Sequence, residues 1–252
     1  MKNLLTKLRY VPKRFGVVAA VVVAGATAAM GFAWGPDRPT FTTASPAPYI
    51  TFNSITDNPA YGDERNFMRV KPADAPNSAY SDRTTLQAGK EYQVYIYFHN
   101  NAAANLNLVA TNTTVQTQLP AVVNGDTQSV SYINSPDAKP MKVWDETTLT
   151  STSPVAIRMV PGSATIHSFG AVDGAKLPDS IITTGAPLGY NALDGKVPGC
   201  NQYAGYVTFN FVADQPNFEV GKLVSKHGAN TWTESYKAQP GETVDYLLKY
   251  KN

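Results

Sequence analysis

The sequence has very little of the chemistry on which most catalytic and metal sites depend. It contains one cysteine, Cys200, and 3 histidines in 252 residues. A single cysteine excludes an internal disulfide and a cysteine-based zinc site within this chain. The histidines His99, His167 and His227 lack His-x-x-x-His spacing, and no phosphate-binding glycine loop or Gly-x-Ser-x-Gly elbow is present. We therefore predict that the protein is not an enzyme and binds no cofactor, with calcium as the one candidate ion.

Helical periodicity and a basic surface are also lacking. After residue 33, no stretch of about twelve residues carries apolar side chains at helical spacing. Five of the 21 Lys and Arg residues lie within residues 1–34, where there is no acid, so the remainder of the chain carries 16 against 19 Asp and Glu. Nucleic-acid binding requires a basic footprint. We therefore expect no nucleic-acid partner.

The N-terminus has the pattern of an export signal. The five basic residues precede an uninterrupted apolar run, residues 16–33, which ends in Gly31-Phe32-Ala33. A basic segment, an apolar core and small residues at its end are typical of a signal peptide, here cleaved before Trp34 or, alternatively, after residues 26–28. The same run is long enough to remain as a membrane anchor. Residues 1–33 are thus a signal peptide or anchor, and the rest of the chain is expected outside the cell, at its surface.

The remainder of the chain is organised around one strand pattern that occurs twice. Residues 87–100 and 239–252 align without a gap: each opens with a turn at Ala88-Gly89 or Pro240-Gly241 and closes on Asn. Alternate positions between these ends are apolar in both copies, and a period of two indicates a strand with one buried face. The second copy has only just begun where the sequence stops. We therefore expect Asn252 not to be the natural terminus and the last module to be poorly packed.

Turn and strand signals divide the chain into four parts. They are a signal or anchor (1–33), a Pro-rich linker (34–48), a large β-sandwich domain (49–213) and the start of a second β-sandwich repeat (218–252). Short strands with turns between them, at a spacing of roughly ten residues, favour an antiparallel sandwich. The strands predicted within the large domain and the repeat share β-branched or alternating apolar residues: 49–55, 67–70, 91–99, 108–119, 128–133, 141–144, 155–160, 163–169, 203–212, 218–224, 232–236 and 244–250.

An acidic loop is the candidate metal site. The loop at residues 56–65 carries Asp57, Asp63 and Glu64, and calcium takes several oxygen ligands from one loop. Their spacing does not match the twelve-residue calcium loop of helix–loop–helix proteins. The alternative is a solvated turn in which Arg65 pairs with a neighbouring acid.

Two tyrosines on the central strand are the candidate ligand-binding residues. Tyr95 and Tyr97 fall on the face opposite Ile96 and Phe98. An exposed pair of this kind could stack on sugar rings or on partner side chains, together with a loop such as residues 188–202. The alternative is that a neighbouring loop or domain covers them. Cys200 lies in that same loop, and we interpret it as a buried apolar residue, with intermolecular cross-linking as the alternative if it is exposed.

Part of the chain resembles a known bacterial repeat. Residues 241–252 (GETVDYLLKYKN) resemble the opening of the conserved-repeat domain of unknown function that occurs in tandem in bacterial cell-surface proteins. Leu119-Pro120, after the first copy of the pattern, matches the Leu-Pro that ends the second strand in that family. The resemblance implies an immunoglobulin-like β-sandwich in an exported, often anchored protein of surface architecture or adhesion. It implies no catalytic residue.

These observations lead to two functional hypotheses. The first is an exported structural or adhesive protein of the cell surface, built from β-sandwich modules, whose partners are cell-envelope components or other surface proteins. The alternative is a carbohydrate- or protein-binding module of the cell envelope that uses Tyr95 and Tyr97.

Overall fold

A computed structural model describes residues 34–215 and 219–251, which form strands joined by turns. The predicted signal or anchor at residues 1–33 lies outside the described residues. In chain order the strands are β1 (Trp34–Gly35), β2 (Met68–Pro72), β3 (Arg83–Thr85), β4 (Lys90–Phe98), β5 (Val109–Ala110), β6 (Thr114–Gln118), β7 (Val122–Asn134), β8 (Lys142–Met159), β9 (Thr165–Ser168), β10 (Ala186–Pro187), β11 (Val197–Pro198), β12 (Gly205–Asp214), β13 (Glu219–Lys226) and β14 (Val244–Lys251). Helical structure in these ranges is confined to 3-10 turns of three or four residues, at Asn77–Ala79, Ala104–Leu106, Asp179–Ile182 and Asn201–Tyr203. No helix there could cross a membrane.

The predicted all-β, antiparallel class is confirmed. Ten strands join in one sheet with the order β10-β6-β7-β8-β12-β4-β2, and β1, β3 and β9 pair alongside this path. All of the ladders in this sheet are antiparallel except that of β3, which runs parallel to β8. Two short ladders, β5 with β11 and β13 with β14, stand apart from it. Pairing between strands thus satisfies the backbone N–H and C=O groups, which helices satisfy in other folds.

The strands β4 and β12 pair along most of their length and carry the predicted alternation into the core. Their inward side chains are apolar or aromatic and buried: Tyr92, Val94, Ile96, Phe98, Val207, Phe209, Phe211 and Ala213. Gly89 adopts a φ of 78° and Gly241 a φ of 87°, so both copies of the repeated turn use glycine where other residues are strained. Both copies of the pattern are strands, as the alignment predicts.

The largest difference from the predicted strands lies in the middle of the sheet. The two strands expected at residues 141–144 and 155–160 belong to one 18-residue strand, β8. Asn124-Gly125, a pair typical of a hairpin turn, is instead a bulge inside β7, where the register with β8 shifts between Val123 and Gly125. Gly125 has a φ of 69°. A glycine bulge and a hairpin turn require the same backbone conformation, so the local sequence does not distinguish them.

The Pro-rich stretch that we predict to be a linker, residues 34–48, contacts the sheet. Its first two residues form β1 and pair with Trp144 and Asp145 of β8. Arg38 is buried and donates hydrogen bonds to the Asn53 carbonyl at 2.7 Å and the Ser54 hydroxyl at 3.0 Å. Burial lowers the pKa of the Arg38 guanidinium to about 10. These residues therefore belong to the packed part of the chain.

The C-terminal hairpin has one exposed apolar face. β13 and β14 pair only with each other among the described strands. Along β14 the alternate side chains of Tyr246, Leu248 and Tyr250 are 58%, 64% and 79% exposed. Isolated hairpins need a packed face or further strands for stability. That this hairpin is the start of a second β-sandwich repeat stays a prediction.

A buried carboxylate ties β2 to β8. Asp145 of β8 is 1% exposed, and its Oδ2 accepts a hydrogen bond from the Met68 backbone N–H at 2.6 Å. Its Oδ1 accepts the Glu146 N–H at 2.9 Å. Burial raises the pKa of the Asp145 carboxyl to about 8, although these backbone donors favour the ionised form.

This carboxyl predicts a pH dependence of stability. In the unfolded chain Asp145 ionises near pH 4, whereas the folded protein retains the proton up to about pH 8. The folded state then binds more protons in that window, so the stabilisation is complete below about pH 4 and is lost as the pH rises through 8, with a maximal slope of about 1.4 kcal/mol per pH unit. Urea unfolding of wild type and Asp145→Asn across this range measures it. Asp126→Asn, at an exposed carboxylate, is the control, and parallel wild-type and Asp145→Asn profiles would contradict the prediction.

Candidate functional site

The acidic loop does not bring its three carboxylates together. The Asp57 Oδ1 accepts the Thr43 backbone N–H at 2.7 Å. Asp63 forms an ion pair with Arg65 at 2.6 Å, which is the local pairing of the alternative interpretation. Glu64 is buried, and no group of three acidic, histidine or cysteine side chains suited to a metal occurs in residues 34–215 and 219–251. Calcium binding by Asp57, Asp63 and Glu64 stays a prediction, because each of the three carboxylates has a different partner in the structure.

Glu64 instead lies at the centre of a buried polar cluster. Its Oε1 accepts hydrogen bonds from Asn58 Nδ2 at 2.6 Å and from His99 Nδ1 at 2.8 Å. Its Oε2 accepts from Asn101 Nδ2 at 2.7 Å, and the Tyr97 hydroxyl lies 3.4 Å from Oε1. Asn101 Nδ2 also lies 2.9 Å from His99 Nδ1, so the imidazole contacts both the carboxylate and the amide. We call Glu64, Asn58, Tyr97, His99 and Asn101 the Glu64 cluster.

The Glu64 cluster holds a tight turn that presents an aromatic ring. Asn58 Oδ1 accepts the backbone N–H groups of Ala60 at 3.0 Å and Tyr61 at 3.3 Å. The Gly62 N–H returns to the Asn58 carbonyl at 2.7 Å, and Gly62 has a φ of 90°. An asparagine at the start of a turn and a glycine with positive φ at its end stabilise such a conformation. As a result, the Tyr61 ring is fixed over the sheet.

Five aromatic rings lie side by side on this face of the sheet. Tyr61 stacks on Tyr97 at 4.2 Å between centroids and 16° between planes. Tyr206 of β12 stacks on Tyr95 of β4 at 4.8 Å and on His167 of β9 at 4.7 Å. Tyr206 lies opposite Tyr97 and His167 in the strand register, which places these rings on one face of the sheet. We call Tyr61, Tyr95, Tyr97, Tyr206 and His167 the tyrosine face.

The structure gives the two predicted ligand-binding tyrosines different environments. Tyr61 covers Tyr97, which is 8% exposed and belongs to the Glu64 cluster. Tyr95 is half-buried, and neither its hydroxyl nor that of Tyr206 donates a hydrogen bond to another described residue. Burial raises the pKa of Tyr95 and raises that of the neighbouring Tyr80 to about 12. The phenols of Tyr95 and Tyr80 thus remain protonated at neutral pH.

Two clefts open on the tyrosine face. Both are lined by Tyr61, Tyr95, Tyr206 and His167, and their volumes are about 510 and 630 Å³. Both volumes fall in the range of about 300–1,000 Å³ that is typical of small-ligand sites. The first cleft adds, among others, Tyr97, Phe169, Asp173 and Asn201. The second adds, among others, Arg69, Tyr80, Gln93 and Thr208.

The loop and the cysteine singled out in the sequence lie at the edge of this site. Of residues 188–202, Asn201 lines the first cleft. Cys200 precedes it, is half-buried and has a φ of 115°, an uncommon conformation for a residue other than glycine. It has no disulfide partner.

Sequence reasoning missed Tyr61, Tyr206, His167 and Phe169 as site residues. Tyr206 carried a usable signal, because it alternates with Val207 and Phe209 and therefore faces outward with the tyrosines of the paired strand. Phe169 is 88% exposed at the rim of the first cleft, which no local pattern indicates.

Comparison with known proteins adds no identification. No protein-family model, no curated protein and no solved structure matches this chain.

Proposed function

We propose that this chain is an exported cell-surface protein of immunoglobulin-like β-sandwich modules, related to the bacterial conserved-repeat proteins, whose large module binds carbohydrate at the tyrosine face. Such binding would give the adhesive role expected for a surface protein, with glycans of the cell envelope or of another cell as partners. The proposal includes no catalytic step. The all-β fold and the repeated strand pattern of β4 and β14 support the modular part of it.

One observation carries the ligand-binding part: two ligand-sized clefts share an aromatic floor with unused hydroxyl groups. The clefts measure about 510 and 630 Å³ and meet at Tyr61, Tyr95, Tyr206 and His167. Exposed polar groups that find no partner inside a protein are available to a ligand. The hydroxyls of Tyr95 and Tyr206 are such groups, with ring centroids 4.8 Å apart.

Sugars match this combination of surfaces better than apolar ligands do. A sugar ring has an apolar face for an aromatic ring and a rim of hydroxyls that donate and accept hydrogen bonds. Phe169, 88% exposed at the rim of the first cleft, offers a ring for the apolar face. Tyr95, Tyr206 and Asn201 offer hydrogen-bonding groups beside it. Such clefts favour neutral or weakly charged polar ligands over purely hydrophobic ones.

Replacing Tyr206 with alanine is expected to weaken glycan binding by about tenfold or more, equal to about 1.4 kcal/mol. Tyr206 stacks on both Tyr95 and His167 and lines both clefts, so its loss removes a ring, a hydroxyl and the support of its neighbours. A glycan array selects the sugar, and titration calorimetry measures its affinity. Tyr206→Phe separates the hydroxyl from the ring.

Tyr132→Ala is the matched control. Tyr132 lies on β7, hydrogen-bonds to Gln118 at 3.0 Å and lines neither cleft, so wild-type affinity is expected. Binding that survives in Tyr206→Ala, or the absence of any bound glycan on the array, would refute the proposed function.

A further inference from the structure

The two clefts differ in charge. Arg69 is the one Lys, Arg, Asp or Glu side chain among the residues that line the second cleft. The first cleft contains Asp173 instead. The tyrosine face therefore carries a carboxylate on the side of the first cleft, 3.7 Å from His167, and a guanidinium on the side of the second. A ligand that lies across it meets opposite charges at its two ends.

Arg69 has unused hydrogen-bonding capacity. Its Nε lies 3.8 Å from Asp82 Oδ1, a separation beyond hydrogen-bonding distance, and its guanidinium lies 4.9 Å from the centroid of Tyr61. No side-chain N–H group of Arg69 donates a hydrogen bond to another residue in the described ranges. The side chain is 30% exposed, so an incoming ligand can reach it. A guanidinium with free N–H groups matches the planar, bidentate geometry of a carboxylate.

A second cation lies behind the same cleft. Lys71 follows two positions after Arg69 on β2, is 3% exposed and donates to the carbonyls of Ala73 at 3.3 Å and Ala75 at 2.8 Å. It has no carboxylate partner among the described residues, and its ammonium lies 5.3 Å from the ring of Tyr80, which lines the cleft. Buried charges are usually paired. The Lys71 ammonium therefore lies on the same strand as Arg69, next to the Tyr80 ring that lines the cleft.

Hydrogen-bond donors complete the second cleft. Tyr95 and Tyr206 line it, and their hydroxyls donate to no other described residue. Tyr80 is already engaged, because its hydroxyl donates to Gln93 Oε1 at 2.7 Å. Asp82, which forms an ion pair with Arg69 at 3.8 Å, is not among the residues that line this cleft. Arg69 thus lines the second cleft, Lys71 lies behind it, and Tyr95 and Tyr206 supply two neutral donors.

We propose that the second cleft binds the carboxylate of an acidic sugar, so that the ligand of the tyrosine face is a uronic-acid-containing glycan. The carboxylate lies against Arg69 and accepts from the Tyr95 and Tyr206 hydroxyls, while the neighbouring neutral sugar lies over the first cleft. This inference rests on the proposed carbohydrate function and specifies its ligand. Asp173 at the other end excludes a second acidic sugar from the first cleft by like-charge repulsion.

The test compares matched ligands that differ only in charge. Uronate-containing tetrasaccharides and the same tetrasaccharides after carboxyl reduction are titrated into the protein at low salt. We expect the acidic forms to bind about tenfold more tightly, and the difference to shrink as salt is raised to about 0.5 M. Arg69→Gln should erase the difference between the acidic and the reduced forms. Arg158→Gln, at an arginine paired with Asp214 away from the clefts, should preserve it.

A second variant tests the inference even if the Arg69→Gln protein does not fold. Asp82→Asn removes the carboxylate near Arg69 and should tighten binding of the acidic forms only. Equal affinity of wild type for acidic and reduced tetrasaccharides overturns the inference and leaves the proposed function standing. Failure of every sugar to bind removes both. Binding of sulfated or phosphorylated sugars in preference to uronates also overturns the assignment to a carboxylate.

Discussion

Glu64→Ala is expected to lower the free energy of unfolding by about 3–5 kcal/mol. Glu64 is completely buried, and the substitution leaves the donors of Asn58, Asn101 and His99 facing an empty site that water reaches poorly. Each buried donor without an acceptor costs about 1–3 kcal/mol. The loss is therefore much larger than that from an exposed carboxylate.

Denaturant unfolding of wild type, Glu64→Ala and Glu64→Gln measures the effect. Glutamine keeps one carbonyl oxygen of the acceptor pair, so an intermediate loss is expected. Glu91→Ala is the control, because Glu91 is exposed on β4 and accepts a single hydrogen bond from Asn210 at 2.7 Å. A change below about 1 kcal/mol for Glu64→Ala would show that the Glu64 cluster does not stabilise the fold.

Phe209→Ala is expected to cost about 3–5 kcal/mol of stability. Phe209 is completely buried on β12, opposite Val94 of β4, where its ring fills the core between packed strands. Removing the ring loses its burial and leaves a cavity that a rigid sheet cannot close. Thermal and denaturant unfolding report the loss, and it should appear without any change in the set of glycans bound.

The same substitution at Phe169 provides the comparison. Phe169 is 88% exposed at the rim of the first cleft, so its replacement by alanine should change stability by less than about 0.5 kcal/mol. It should instead weaken glycan binding. Equal losses of stability at the two positions would contradict the burial that separates them.

The alternation of β4 and β12 could be predicted because it depends only on neighbours in sequence. Tyr92, Val94, Phe209 and Phe211 face the core in the positions that the period of two assigns. The middle of β8 could not be recognised as the interior of a strand, because several of its buried positions are not apolar. Its inward positions there include Thr147 and Ser151, which are small, polar and buried.

The site depends on contacts between residues far apart in the chain. Tyr95 was found because it lies on a predicted strand, but Tyr61 covers Tyr97 through a turn held by Asn58 and Glu64. Glu64 was interpreted as a calcium ligand from its acidic neighbours. Its partner His99 follows it by 35 residues in the chain, after β2, β3 and β4. Pairings of this kind follow from the tertiary fold and leave no periodic trace in the sequence.

The pairing pattern of β8 has a consequence for the order of folding. This one strand binds β1 and β3 from before it in the chain, its neighbour β7, and β12 from after it, so its ladders connect Trp34 to Asp214. During synthesis, β8 and β4 remain with unpaired edges until β12 has emerged. Loop closure over such separations precedes the gain from pairing, which makes sheets of this type slow to fold. This sheet can therefore be completed only after β12 has been synthesised, because β12 lies between β8 and β4.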